Sequence, residues 1–157
     1  YLIEGAKSQI LSAGKSFAEL RKERIHCSKN TDLKKALIIF GTCPHDRGLI
    51  DHRKVFEVMS DAFMATEDLL RTGSAALDFA AISAGRADLF FEYKLRPWDF
   101  AAGILISSEA GAITTDIYGE PVNIFATGSI LCANPELHEK FFPLLEKLRG
   151  SKSGSQS

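Results

Sequence analysis

Three cysteines, two methionines and one tryptophan are all that 157 residues hold of those types, and the cysteine scarcity excludes most. Cys27, Cys43 and Cys132 are odd in number and far apart, so they give neither a disulfide framework nor the paired spacing of a zinc site. Free thiols in a reducing cytoplasm are the expectation. His26, His45, His52 and His138 are scattered too, and each is read as a surface residue or a partner in a local hydrogen bond. No apolar run reaches the length of a membrane span, and the first residues lack the basic and apolar regions of a signal peptide. Tyr1 is not an initiator methionine, which points to a start made by cleavage or by design. An excess of one charge is lacking as well. Nineteen Lys and Arg against 20 Asp and Glu leave −1, which makes no electrostatic case for nucleic acid or an anionic membrane.

What is present is ordinary for a globular domain: 45% apolar and 25% charged residues, at a length that can bury a core. Residues 1–149 are expected to form a single α/β domain, a mixed sheet covered by helices, with 150–157 a disordered tail. Leu2-Ile3-Glu4, Gln9-Ile10-Leu11 and Phe17 to Leu20 read as strands broken by turns, and Arg21 to Arg24 as an exposed strand or turn. These early strands are expected to belong to a sheet shared with further sequence, leaving an edge or apolar face that favours self-association. Ala36 to Phe40 is a continuous apolar run ended by Gly41, the pattern of a strand buried on both faces. Val55, Val58, Met59, Ala62 and Phe63 recur at helical spacing and put one apolar stripe on a helix over 52–67.

A second helix is expected over 74–84 with its stop at Gly85, followed by a strand over 88–92 and a third helix over 99–110 ended by Gly111. Gly103 inside that helix costs stability, so a close backbone contact is expected there. Short strands should cover 113–115 and 129–132 around the turn at 118–121. Asn134 and Pro135 should start a final amphipathic helix that runs to Leu148. Strand and helix alternate, so ligand chemistry is sought where strand ends meet helix starts. Three such junctions stand out: Phe40-Gly41-Thr42, Arg71-Thr72-Gly73-Ser74-Ala75 and Pro97-Trp98-Asp99.

The last is the most informative. Trp98-Asp99-Phe100-Ala101-Ala102-Gly103 runs on to Glu109-Ala110-Gly111, with one acid at the head of an apolar helix. Asp99 reads as an N-cap or as the ligand of a hard cation facing a cleft, and two carboxylate oxygens allow both. This stretch resembles the second signature of the inositol monophosphatase family, Trp-Asp-x-Ala-Ala-Gly followed by Glu-Ala-Gly. The resemblance continues through Gly73 to Asp78, Ala84 to Asp88 and Ala133 to His138, and covers about Ser28 to Leu148. Ser107 and Ala112 depart from the family's usual apolar residue and second glycine.

The resemblance implies the carboxyl-terminal domain of the inositol monophosphatase and fructose bisphosphatase-like fold. It also implies a Mg²⁺-dependent, lithium-sensitive phosphomonoesterase that attacks phosphorus with metal-bound water, in a cytoplasmic homodimer. By the family pattern Asp99 binds metal, Glu92 meets a substrate hydroxyl, and Thr42, Gly73, Ser74 and Ala75 line the polyol ring. The family's first signature, Asp-Pro-x-Asp-Gly-Thr, is absent, and with it most metal ligands and the group that activates water. No catalytic residue is therefore assigned in this chain, which by itself is expected to be inactive and to need the amino-terminal half of the same enzyme. A nucleotide or sugar phosphatase and a non-catalytic assembly module are the alternatives.

Overall fold

The computed structural model describes residues 2–4, 7–9 and 24–149. The expectations for 10–11, 17–23 and the tail at 150–157 lie outside the described residues. Strands β1 (Leu2–Glu4) and β2 (Lys7–Gln9) pair antiparallel as a separate ribbon.

The main sheet holds β3 (Leu37–Phe40), β4 (Asp68–Leu70), β5 (Leu89–Leu95), β6 (Ile113–Thr115) and β7 (Gly128–Ala133), in the order β4-β3-β5-β7-β6. β4, β3 and β5 run parallel, while β7 is antiparallel to β5 and to β6. Parallel strands need long crossovers. Helix α1 (His52–Ala65) returns β3 to β4 on one face, and α2 (Ala75–Ser83) carries the chain to β5 on the other. Helix α3 (Pro97–Glu109) packs beside α2, and α4 (Pro135–Phe141) lies on the α1 face.

The core is therefore double. Ile38, Leu89, Phe91 and Leu131 point to the α1 side, where Val55, Val58, Met59 and Ala62 meet them as the stripe foretells; Phe63, expected in that stripe, instead lies 55% exposed at its edge near the helix end. Ile39, Phe90, Ile130 and Cys132 point to α2 and α3. Their contact is close because Gly103 lacks a side chain: a Cβ there would lie 2.3 Å from Cγ of Phe79. Phe79 in turn stands edge-on to Phe90, with ring centroids 5.2 Å apart. The expected close contact at Gly103 is thus met by an aromatic ring.

Several boundaries differ from expectation. Helix α2 does stop as foreseen, with Gly85 in left-handed backbone at φ 65°. The edge strand β4 is too short and too exposed to show a pattern. β5 continues to Leu95 rather than ending at Glu92. The final helix does not reach Leu148 in α form. It gives way to a 3₁₀ segment, Phe142–Leu148, because Pro143 lacks the N–H and clashes with the preceding turn. Asn134 caps α4 as foreseen, its Oδ1 accepting from Leu137 N–H at 3.0 Å. All three cysteines are free, with Cys43 and Cys132 buried. Among the described residues no helix is long and apolar enough to cross a membrane.

Candidate active site

The carboxyl ends of β3, β4 and β5 open into a cavity of about 330 Å³, and the three junctions singled out above form its walls. Thr42, Gly73, Ser74, Ala75, Glu92 and Asp99 all line it. They come from separate segments, so only the parallel crossovers bring them together.

Glu92 is the centre. It lies on β5 with 8% exposure, and its carboxyl fills the room left by Gly41: a Cβ on that glycine would fall 1.9 Å from Cδ of Glu92. Gly41 itself is tied to the sheet through its N–H to Phe91 O at 2.9 Å. The Cys43 thiol donates to Oε1 of Glu92 at 3.7 Å. Burial, with smaller contributions from the Asp78 and Asp99 charges, pushes the Glu92 carboxyl up to about 7, against the hydrogen bonds from Cys43. The same burial, with Glu92 beside it, pushes the Cys43 thiol up to about 12.

Asp99 is not the N-cap. Helix α3 begins at Pro97, so Arg96 occupies the cap position and Asp99 stands third in the helix. The physical reason is Pro97, whose fixed φ and missing N–H suit the first helical position. From there Asp99 reaches back, and its Oδ2 accepts from Arg96 N–H at 3.1 Å. That is the reciprocal half of a capping box. The side chain is half-buried and faces the cavity, so Oδ1 has access to a ligand.

Ser74 is the residue before α2, yet its hydroxyl makes no cap bond. Its N–H instead donates to Oγ1 of Thr72 at 3.1 Å, and that hydroxyl bonds the Asp78 carboxylate. Asp78 is 2% exposed and lines the cavity, and burial raises its carboxyl despite Thr72 and the Arg71 charge. Arg71 also lines the cavity and donates from Nε to Oγ1 of Thr42 at 3.0 Å. Neither residue was assigned a role from sequence. Arg71 entered only as the first residue of its junction, and Asp78 only as the end of the stretch that begins at Gly73.

The metal question is one of donors. Asp99 suits a hard cation, but Mg²⁺ prefers octahedral oxygen coordination. Among the described residues no group of three His, Cys, Asp or Glu could hold an ion. The described residues therefore close no metal site by themselves. Ser107, a departure from the family pattern, is satisfied in place: its hydroxyl bonds Ile104 O at 3.0 Å and Thr114 Oγ1 at 3.2 Å.

SuhB of Neisseria meningitidis serogroup B is 40% identical over 126 residues, covering 80% of this chain and 47% of that protein. The Nus factor SuhB of Escherichia coli K12 is 50% identical over 80 residues, 51% of this chain and 30% of its own length. The solved inositol monophosphatase from Anabaena superposes with a TM-score of 0.71 at 32% identity, covering 79% of this chain and 48% of that one. The chain thus spans at most about half the length of these relatives. The sequence profile of the inositol monophosphatase family matches residues 6–149. With the α/β sheet and a match over nearly the whole chain, this protein belongs to the inositol monophosphatase family.

Proposed function

We propose that this chain is the carboxyl-terminal part of a phosphomonoesterase acting on a small phosphorylated polyol, and that it supplies the wall that holds the alcohol portion. The observation that carries this reading is the convergence of Thr42, Gly73, Ser74, Ala75, Glu92 and Asp99 on one cavity. Glu92 would take a substrate hydroxyl. With its carboxyl pushed up to about 7, it is poised to accept or donate that hydrogen bond near neutral pH. Ser74, with its hydroxyl free of the cap, and the backbone at Gly73 would face the ring. Asp99 would be one ligand of a Mg²⁺ ion, whose chemistry there is charge stabilisation at the leaving oxygen. The other donors and the group that activates water would come from the amino-terminal half.

The chain alone is accordingly expected to release no phosphate. The test is phosphate release from an inositol monophosphate, with and without Mg²⁺, beside Asp99→Asn. No release fits a half-site. Mg²⁺-dependent turnover that disappears in Asp99→Asn would show a complete site here and overturn the division of labour. Homodimerisation, lithium sensitivity and a cytoplasmic location belong to the same reading.

The name of the Escherichia coli relative, a Nus factor, favours a second reading in which the fold serves protein assembly. The two separate in the intact protein. Asp99→Asn should lower phosphate release by roughly two orders of magnitude, and on the assembly reading it should leave partner binding untouched.

A further inference from the structure

The strand that carries Glu92 is not regular. Glu92 faces Ile130 of β7 and Leu95 faces Gly128, so Tyr93 and Lys94 together oppose the single residue Ser129. An extra residue of this kind shifts the phase of a strand. In an unbroken strand Leu95 would point away from the face of Phe90 and Glu92. Instead it packs with Phe90 under α2 and α3. Lys94 is left half-buried and reaches Asp46, with Nζ 3.4 Å from Oδ1.

Asp46 closes the short 3₁₀ turn Pro44–Asp46 in the loop from β3 to α1. Just before it, Cys43 turns through left-handed backbone at φ 46°. That conformation is costly for a residue with a side chain and persists only where the surroundings impose it. The same loop brings the Cys43 thiol to Glu92 and walls a second lobe of about 270 Å³. This lobe shares His45, Glu92, Trp98 and Asp99 with the first. The near end of the loop is secured by Gly41 N–H to Phe91 O, by Arg71 to Thr42, and by the contact of His52 Nε2 with Thr42 O at 3.2 Å. Lys94 secures the far end. The Asp46 side chain is only 11% exposed, so a missing cation would strand a nearly buried carboxylate.

We propose that Lys94 is a positioning residue: through Asp46 it latches the Gly41–Arg47 loop across the bulge of β5, and the latched loop holds the Glu92 carboxyl in place at the cavity. The functional meaning of this latch rests on Glu92 meeting substrate, but the latch itself is testable without turnover. Cys43 is the reporter. It is 4% exposed and its thiol is pushed up to about 12, so alkylation is slow while the loop is closed. Cys132, fully buried in the core, reports global opening.

The experiment is iodoacetamide labelling of the chain, with each cysteine-containing peptide quantified by mass spectrometry. Lys94→Met should speed Cys43 labelling about tenfold through local opening, with Cys132 unchanged. Lys94→Arg should restore protection. Asp46→Asn should reproduce the opening, and combining it with Lys94→Met should add nothing further. Should Lys94→Met fail to fold, Asp46→Asn carries the same expectation. Cys43 labelling within about twofold of wild type in the folded variants overturns the latch, given coupling of the size expected for such a pair. A parallel rise at Cys132, or no rescue by arginine, overturns it too. Because no catalysis is measured, the latch can fail while the phosphatase reading stands, and the reverse.

Discussion

Replacing Glu92 by glutamine should make the protein more stable at neutral and alkaline pH, by an amount that grows with pH. The Glu92 carboxyl moves from an ordinary 4.5 to about 7 on folding, chiefly because burial penalises its charge. The folded state therefore holds this proton more tightly than the unfolded chain does. Its contribution is fully present below about 4.5 and is lost as pH rises through 7. At about 1.4 kcal/mol per pH unit of displacement, the whole loss is about 3 kcal/mol, and most of it falls between about pH 5 and 8. Glutamine keeps the shape and cannot ionise. Urea unfolding of both proteins across that pH range gives the difference directly, and groups common to both, such as His138, cancel. Wild type should lose about 2 to 3 kcal/mol more than Glu92→Gln over the range. A pH-independent difference would refute the claim that burial of this carboxylate costs the fold stability. The result would also mark Glu92 as a residue whose ionisable form suits binding better than stability.

Gly41→Ala should evict the Glu92 carboxyl, since the new Cβ would sit 1.9 Å from Cδ. The expected readout is loss of the titration near 7 in carbon-detected NMR of the glutamate side chain. Gly103→Ala gains about 1 kcal/mol of helix propensity but drives a methyl into the Phe79 ring at 2.3 Å. Overpacking of about 1 to 3 kcal/mol should win, with a lower thermal midpoint and a perturbed near-ultraviolet spectrum. Asp99→Asn should change stability by less than about 1 kcal/mol, because its amide oxygen can still accept from Arg96 N–H. In the intact enzyme the same change should lower phosphate release by roughly two orders of magnitude, the scale of removing a group that stabilises charge at the reacting atoms. A stability loss matching the activity loss would assign Asp99 to the helix cap alone.

The candidate site was legible where local chemistry is written in adjacent residues. Trp98-Asp99 with its Ala-Ala-Gly run, Gly73-Ser74-Ala75, and Gly41-Thr42 all fall at the strand and helix junctions now seen around one cavity. The stripe from Val55 to Ala62 placed α1, because a helical period is a property of a few consecutive turns. The end of α4 was legible and missed: Pro143 carried the signal for the change to 3₁₀ geometry. Asp99 was placed at the right helix end but as the cap, whereas it stands three positions beyond it, since the cap assignment turns on where Pro97 begins the helix.

By itself, then, the sequence determined the family, the alternation of strands and helices, and the residues that line the cavity. Those are matters of residue type and short-range spacing. Tertiary structure alone decided which groups share an environment. The room at Gly41 that the Glu92 carboxyl occupies is one case, and the burial of Asp78 beside Thr72 is another. The bulge that turns Lys94 toward Asp46 is a third. The Gly41 and Lys94 cases join segments far apart in the chain, the first across parallel strands and the second through a bulge against the antiparallel β7. Desolvation and steric room are set by those neighbours, not by the residues next in sequence.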